Sequence, residues 1–141
     1  MPNENKYGSR PKLILLVDDD DTHRYALGKH LSQSGFEVID AKSGTETVNQ
    51  ALRHRPDAIL LDIRLPDMDG FKVCEQLKAN PDTKHTPVIF HSAIYDVADA
   101  RASAQAVGAY AFLSYPIDVN HLVNVLLGAM VRETINVRGP V

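Results

Sequence analysis

Short apolar runs that break off at an acidic or hydroxyl residue constrain this chain more than any other feature. Ala58-Ile59-Leu60-Leu61 stops at Asp62 and leads into Ile63-Arg64-Leu65-Pro66 and the turn-forming Asp67-Met68-Asp69-Gly70. Leu13-Ile14-Leu15-Leu16-Val17 runs into Asp18-Asp19-Asp20-Asp21, and Val88-Ile89-Phe90-His91 runs into Ser92-Ala93. An apolar run without polar alternation fits a strand covered on both faces, as in a parallel sheet between helices. The carboxyl ends of such strands are where open α/β sheets bind ligands. Asp62 alone could equally open a turn, a common place for Asp. If the three strands lie parallel and adjacent, however, Asp18, Asp19 and Asp62 converge beside Ser92. Two unit charges about 4 Å apart interact by roughly 1 kcal/mol in water and roughly 4 kcal/mol at an effective dielectric near 20. A hard divalent cation relieves that repulsion, and carboxylate oxygens with water suit Mg²⁺.

The remaining segments fill in around these runs. Residues 1–11 hold Pro2, Gly8 and Pro11 and read as a flexible lead-in. Strands are expected at 13–17, 36–40, 58–61, 87–91 and 109–113. Helices are expected at about 21–33, from Ser43-Gly44 to Pro56, at 71–79, at 97–107 up to Gly108, and from Asp118 onward. Acidic residues favour helix N-termini by capping and by the macrodipole. Leu27 and Leu31, then Val48, Ala51 and Leu52, then Leu122, Val125, Leu126, Ala129 and Met130 fall on inward faces. The folded part should span 12–131, with 132–141 a frayed tail. Five strands alternating with five helices through short connections predict a three-layer, doubly wound parallel α/β sheet.

Other classes find little support. The chain has 141 residues, one domain's worth, and 44% hydrophobic and 23% charged residues, ordinary for a globular protein. A formal charge of −3 gives no sign of a nucleic-acid or membrane surface. The single cysteine, Cys74, fits a reducing compartment, falls at helical spacing with Leu77, and reads as a buried structural thiol. No apolar run approaches the ~18 residues of a membrane span and no signal-peptide apolar region opens the chain, so a cytoplasmic location is expected. Neither GxGxxG nor GxxxxGK[ST] occurs. The six histidines form no metal-ligand spacing and are expected at the surface or in packing.

Four motifs in order then resemble the receiver domain of two-component response regulators, over roughly residues 12–131. Leu15-Leu16-Val17-Asp18-Asp19 resembles the first strand and its acidic pair, with Arg24 where an Arg is frequent. The stretch from Leu60 to Gly70 resembles the phosphoacceptor strand and loop. Pro87-Val88-Ile89-Phe90-His91-Ser92-Ala93 resembles the fourth strand with its switch hydroxyl. Gly108-Ala109-Tyr110-Ala111-Phe112-Leu113, followed by Pro116, resembles the fifth strand. The resemblance implies a flavodoxin-like (βα)₅ fold and a Mg²⁺-dependent switch in which Asp62 takes a phosphoryl group from a histidine kinase or histidine phosphotransfer protein. It implies metal binding by Asp19 and Asp62, by Asp18 through water, and by the main-chain carbonyl of Arg64. Ser92 would donate to the acyl phosphate. Phe112 would be the aromatic that changes rotamer, relaying the signal through the helix 4–strand 5–helix 5 face to a downstream protein. A cis bond before Pro116 is implied as well. Asp20 and Asp21 are read as capping and solvated.

One position departs from the pattern: Tyr115 stands where the family carries Lys. A phenol supplies no charge, and charge-assisted hydrogen bonds are roughly twice as strong as neutral ones. Two alternatives therefore stand beside the phosphorylatable switch. One is a pseudo-receiver that binds partners without phosphorylation. The other is a haloacid-dehalogenase-like phosphatase, since Asp18-Asp19-Asp20-Asp21-Thr22 also resembles a DxDx[ST] motif, with Asp18 as nucleophile; it leaves the Asp62 loop unexplained. With no output domain after residue 131, the chain is expected to be a stand-alone receiver or part of a larger regulator or hybrid kinase.

Overall fold

The computed structural model describes residues 10–93 and 97–137. Strands β1 (Leu13–Val17), β2 (Glu37–Ala41), β3 (Ala58–Asp62), β4 (Val88–Ser92) and β5 (Ala111–Ser114) form one parallel sheet in the order β2-β1-β3-β4-β5. Helices α1 (Asp21–Gln33), α2 (Gly44–His54), α3 (Gly70–Ala79), α4 (Val97–Ala106) and α5 (Val119–Val137) supply the connections and the outer layers. The doubly wound sheet expected from the apolar runs is what forms.

The strands lack polar alternation because both faces are covered. Leu15, Val17, Ile59 and Leu61 pack with Ala51, Val73, Cys74, Leu77, Ala100 and Ala104 of α2, α3 and α4. Ile14, Leu16 and Leu60 pack the opposite way with Leu27, Leu31, Leu122 and Leu126 of α1 and α5. Each fully buried Leu or Ile contributes roughly 1.5–3 kcal/mol of hydrophobic stabilisation. Cys74 is buried in the first core, where burial pushes its thiol up to about 11. It is the structural thiol its spacing suggested.

Boundaries move by one or two residues for local reasons. Phe36 is 5% exposed and packs in the core one residue before β2 begins. Asp62 and Ser92 are themselves the last ladder residues of β3 and β4. Gly108, at φ +85°, turns the chain after α4, so β5 starts at Ala111 rather than at 109. Pro56 does not itself end α2: Arg55 in the left-handed region caps it. α5 continues to Val137, past residue 132 where the tail was expected, and no Gly or Pro interrupts 132–137. The rest of that expected tail and most of the expected lead-in lie outside the described residues.

Candidate functional site

Parallel register brings the acidic strand ends to one edge of the sheet. Val17 pairs with Leu61, Asp62 with His91, and Ser92 with Ser114. Asp18 follows β1 directly. The edge opens into a cavity of about 630 Å³ lined by Asp18, Asp19, Asp20, His23, Asp62, Arg64, Ser92, Ala93 and Tyr115. The sequence candidates Asp18, Asp19, Asp62, Arg64, Ser92 and Tyr115 are thus brought together. Phe112 is not in the cavity wall: it lies 4% exposed in the core, under the Arg101 guanidinium of α4 at 5.3 Å.

The turn after β1 is fixed by its own carboxylates. The Asp20 side chain accepts from the His23 amide at 2.9 Å and caps α1. Asp18 is 2% exposed, and both of its oxygens are engaged: Oδ1 accepts from the Asp20 amide at 2.9 Å, and Oδ2 meets His23 Nδ1. Arg24 is buried and donates to the Asp18 carbonyl and to Asp21, each at 2.6 Å, with Asp40 at 3.5 Å. Asp20 is thus the capping group read from sequence, whereas Asp21, expected to be solvated, is exposed but pairs with Arg24.

The loop after β3 folds back on itself. Asp62 accepts from the Arg64 amide at 3.2 Å, and the Gly70 amide donates to the Ile63 carbonyl at 2.6 Å. A Cβ on Gly70 would lie 2.3 Å from the Asp62 carbonyl oxygen, so only glycine permits this approach. Asp69 caps α3 through the Lys72 amide. Asp67 reaches across to α2, accepting from the Gly44 and Thr45 amides at 2.7 and 2.9 Å and from the Thr45 hydroxyl. Those donors hold its carboxyl down at about 2. In the sequence Asp67 reads only as a turn former, because nothing in a single sequence indicates amide partners some 23 residues away.

Asp18, Asp19 and Asp62 each offer an oxygen within 4.8 Å of the others. Burial raises the Asp62 carboxyl to about 6, the Arg64 amide opposes this, and the charges of Asp18 and Asp19 raise it further. Three converging carboxylates, one of them resisting ionisation, are a donor set that fits a hard divalent cation.

Two histidines expected at the surface or in packing stand in the same region. His91 is fully buried, its Nε2 lies 2.9 Å from the Val17 carbonyl, and its Nδ1 meets the Tyr115 hydroxyl. The hydroxyl is also 3.3 Å from His23 Nδ1, and the His23 and Tyr115 rings stand edge to face at 4.6 Å. Burial, with Asp18 and Asp62 nearby, raises the Tyr115 pKa further above its ordinary value. Burial likewise lowers that of His91, keeping the ring neutral. The available signals were local: His91 interrupts an otherwise apolar strand, and His23 sits in the first turn of a helix starting at the acidic edge. The Tyr115–Pro116 bond is cis, as the resemblance implied.

Comparison with known proteins agrees with this arrangement. Residues 14–127 match the family model described as the response regulator receiver domain. Response regulator PleD of Caulobacter vibrioides is 40% identical over 120 residues, 85% of this chain and 25% of PleD. The chain thus spans about a quarter of that relative's length. Polar-differentiation response regulator DivK of Brucella anthropi is 33% identical over 116 residues, covering 82% of this chain and 94% of DivK. A response regulator receiver domain protein from Clostridium thermocellum superposes with a TM-score of 0.81 at 25% identity, over 88% of this chain and 98% of that one.

Proposed function

The chain belongs to the response regulator receiver domain family, and from that premise we propose that it is a phosphorylatable switch with Asp62 as phosphoacceptor. Receiver domains are signalling modules and generally bind Mg²⁺ at an acidic pocket. The observation that carries the reading is the position of Asp62: a partly buried carboxylate between Asp18, Asp19 and Ser92 at the cavity wall. Asp18, by contrast, is buried with both oxygens engaged, which argues against its acting as a phosphatase nucleophile.

In this reading a carboxylate oxygen of Asp62 attacks the phosphorus of a phosphohistidine on a histidine kinase or histidine phosphotransfer protein. A P–O bond forms as the P–N bond breaks, and its electron pair returns to the leaving imidazole. Asp19 and Asp62, Asp18 through water and the Arg64 carbonyl would hold Mg²⁺, which when bound neutralises charge on the phosphoryl oxygens. Ser92 donates its hydroxyl to the acyl phosphate. Phe112 then carries the change to the α4–β5–α5 face, where a downstream protein binds. In this reading the chain catalyses at most its own phosphotransfer and dephosphorylation. A cytoplasmic location goes with this reading, since a lone free thiol fits a reducing compartment.

Intact-mass analysis after acetyl phosphate or phosphoramidate with Mg²⁺ tests it. Wild type gains one phosphoryl group and Asp62→Asn gains none. A mass shift that survives Asp62→Asn, or maps to Asp18, would refute the assignment. No shift in wild type, with partner binding retained, would favour the pseudo-receiver.

A further inference from the structure

The departure at Tyr115 raises the question of which side chain faces a phosphoryl group where the family has lysine. Proton positions follow from the acceptors. The Val17 carbonyl, 2.9 Å from His91 Nε2, can only accept, so that nitrogen carries the proton. In the neutral ring Nδ1 is then bare, and the proton in its contact with Tyr115 must be the phenol's. Tyr115 has no second proton, so it has none to offer a phosphoryl oxygen, which is purely an acceptor. Its lone pairs are left to face His23 Nδ1 at 3.3 Å. The same His23 nitrogen meets the Asp18 carboxylate, another acceptor, so His23 Nδ1 carries a proton. His23 lines the cavity with Asp62 and its side chain is 37% exposed.

We propose that the side-chain donor offered to a phosphoryl group in the lysine's place is the ring N–H of His23, and that His91 and Tyr115 are positioning residues that make it so. His91 takes the phenol's only proton. Tyr115 thereby becomes an acceptor that, with Asp18, holds the His23 ring edge-on at the cavity. An incoming phosphoryl oxygen competes with Asp18 for that proton. This inference rests on Asp62 being the phosphoacceptor.

The test uses the full chain uniformly labelled with ¹⁵N, which reports both the histidine ring nitrogens and the backbone amides, and the phosphoryl mimic beryllofluoride with Mg²⁺. In the free protein, ring-nitrogen spectra should show His91 protonated at Nε2 with a hydrogen-bonded Nδ1, and Tyr115→Phe should remove that bond. A proton on His91 Nδ1, or no change in Tyr115→Phe, overturns the wiring. On adding beryllofluoride, His23 Nδ1 should shift while His91 Nδ1 stays. An unmoved His23, or movement of His91 toward its Tyr115→Phe value, overturns the donor assignment. No response at the Asp62 amide would instead defeat the phosphoacceptor reading, and this proposal with it. In acetyl phosphate assays His23→Ala should slow phosphorylation about tenfold, as loss of a hydrogen bond to a charged group does. His23→Asn, which keeps an N–H near the Nδ1 position, should retain most of the rate. An His23→Ala rate within about twofold of wild type would overturn the proposal.

Discussion

Burial and the neighbouring charges of Asp18 and Asp19 all work against ionising Asp62, and this makes the proposed phosphoacceptor a cost to the metal-free fold. Its carboxyl is raised from 3.8 to about 6. A carboxyl raised on folding binds its proton more tightly in the native state, so its contribution to stability is greatest at low pH. That contribution falls as pH rises from about 4 to about 6 and stays lost above. With exposure discounted, the loss is on the order of 1–2 kcal/mol. Asp62→Asn should therefore be more stable than wild type by about that much at pH 7 with a chelator present. The two should converge near pH 4, and Mg²⁺ should narrow the gap at pH 7 by binding only the native wild type. Urea midpoints at pH 4 and 7 provide the check; an Asn variant less stable than wild type at pH 7 without metal would contradict it. The residue types at this site were readable because carboxylates at three strand ends are conspicuous in a sequence. The pairings of His23, His91 and Tyr115 were not. His91 lies 74 positions from Val17 and 24 from Tyr115, Tyr115 lies 92 from His23, and only the strand register puts them side by side.

At the scale of elements, the N-termini of α2 and α3 close against the loop after Asp62, and each begins with a glycine. A Cβ at Gly44 would meet the Met68 side chain at 2.5 Å and Val73 at 2.9 Å; a Cβ at Gly70 would meet the Asp62 carbonyl at 2.3 Å. Methionine is unbranched and can move aside, whereas the backbone of β3 cannot do so without displacing Asp62 itself. Gly70→Ala should therefore cost about 2 kcal/mol or more, and Gly44→Ala clearly less. Gly70→Ala should also slow phosphorylation at the proposed acceptor, since it disturbs the backbone of Asp62 itself. Thermal unfolding and acetyl phosphate assays of both variants check this, and equal destabilisation would count against the distinction. Element types and order were legible because the apolar runs are short, bounded by turn residues and separated by helical periodicity. Element ends were less so. Phe36 looks like a strand residue but buries its ring just before β2, and the continuation of α5 depends on residues with no strong signal either way.

Across the whole molecule, the sheet order places the acidic edge centrally and β5 at the margin, with β4 between them. Ser92 ends β4 in register with Ser114, and its carbonyl accepts from the Tyr115 amide at 3.0 Å, so a displacement at Ser92 is felt directly in β5. From there the path to the surface is short. Phe112 is buried beneath Arg101 of α4, whose guanidinium also donates to the Phe112 carbonyl at 3.2 Å. A cation–π contact of this exposed kind contributes roughly 0.5–1 kcal/mol, small enough to be overturned by a rearrangement around Asp62 and Ser92. Phosphorylation should therefore raise amide exchange in β5 and α4 while leaving β2 and α2 nearly unchanged. Arg101→Ala should raise exchange in the same two elements before any phosphoryl group is added, because it removes the clamp from outside. Hydrogen exchange followed by mass spectrometry, run on samples whose phosphorylation is verified by intact mass, separates the cases. A uniform change over the sheet, or one confined to β1 and β3, would mean that Phe112 and Arg101 do not carry the signal and that the output leaves by another face.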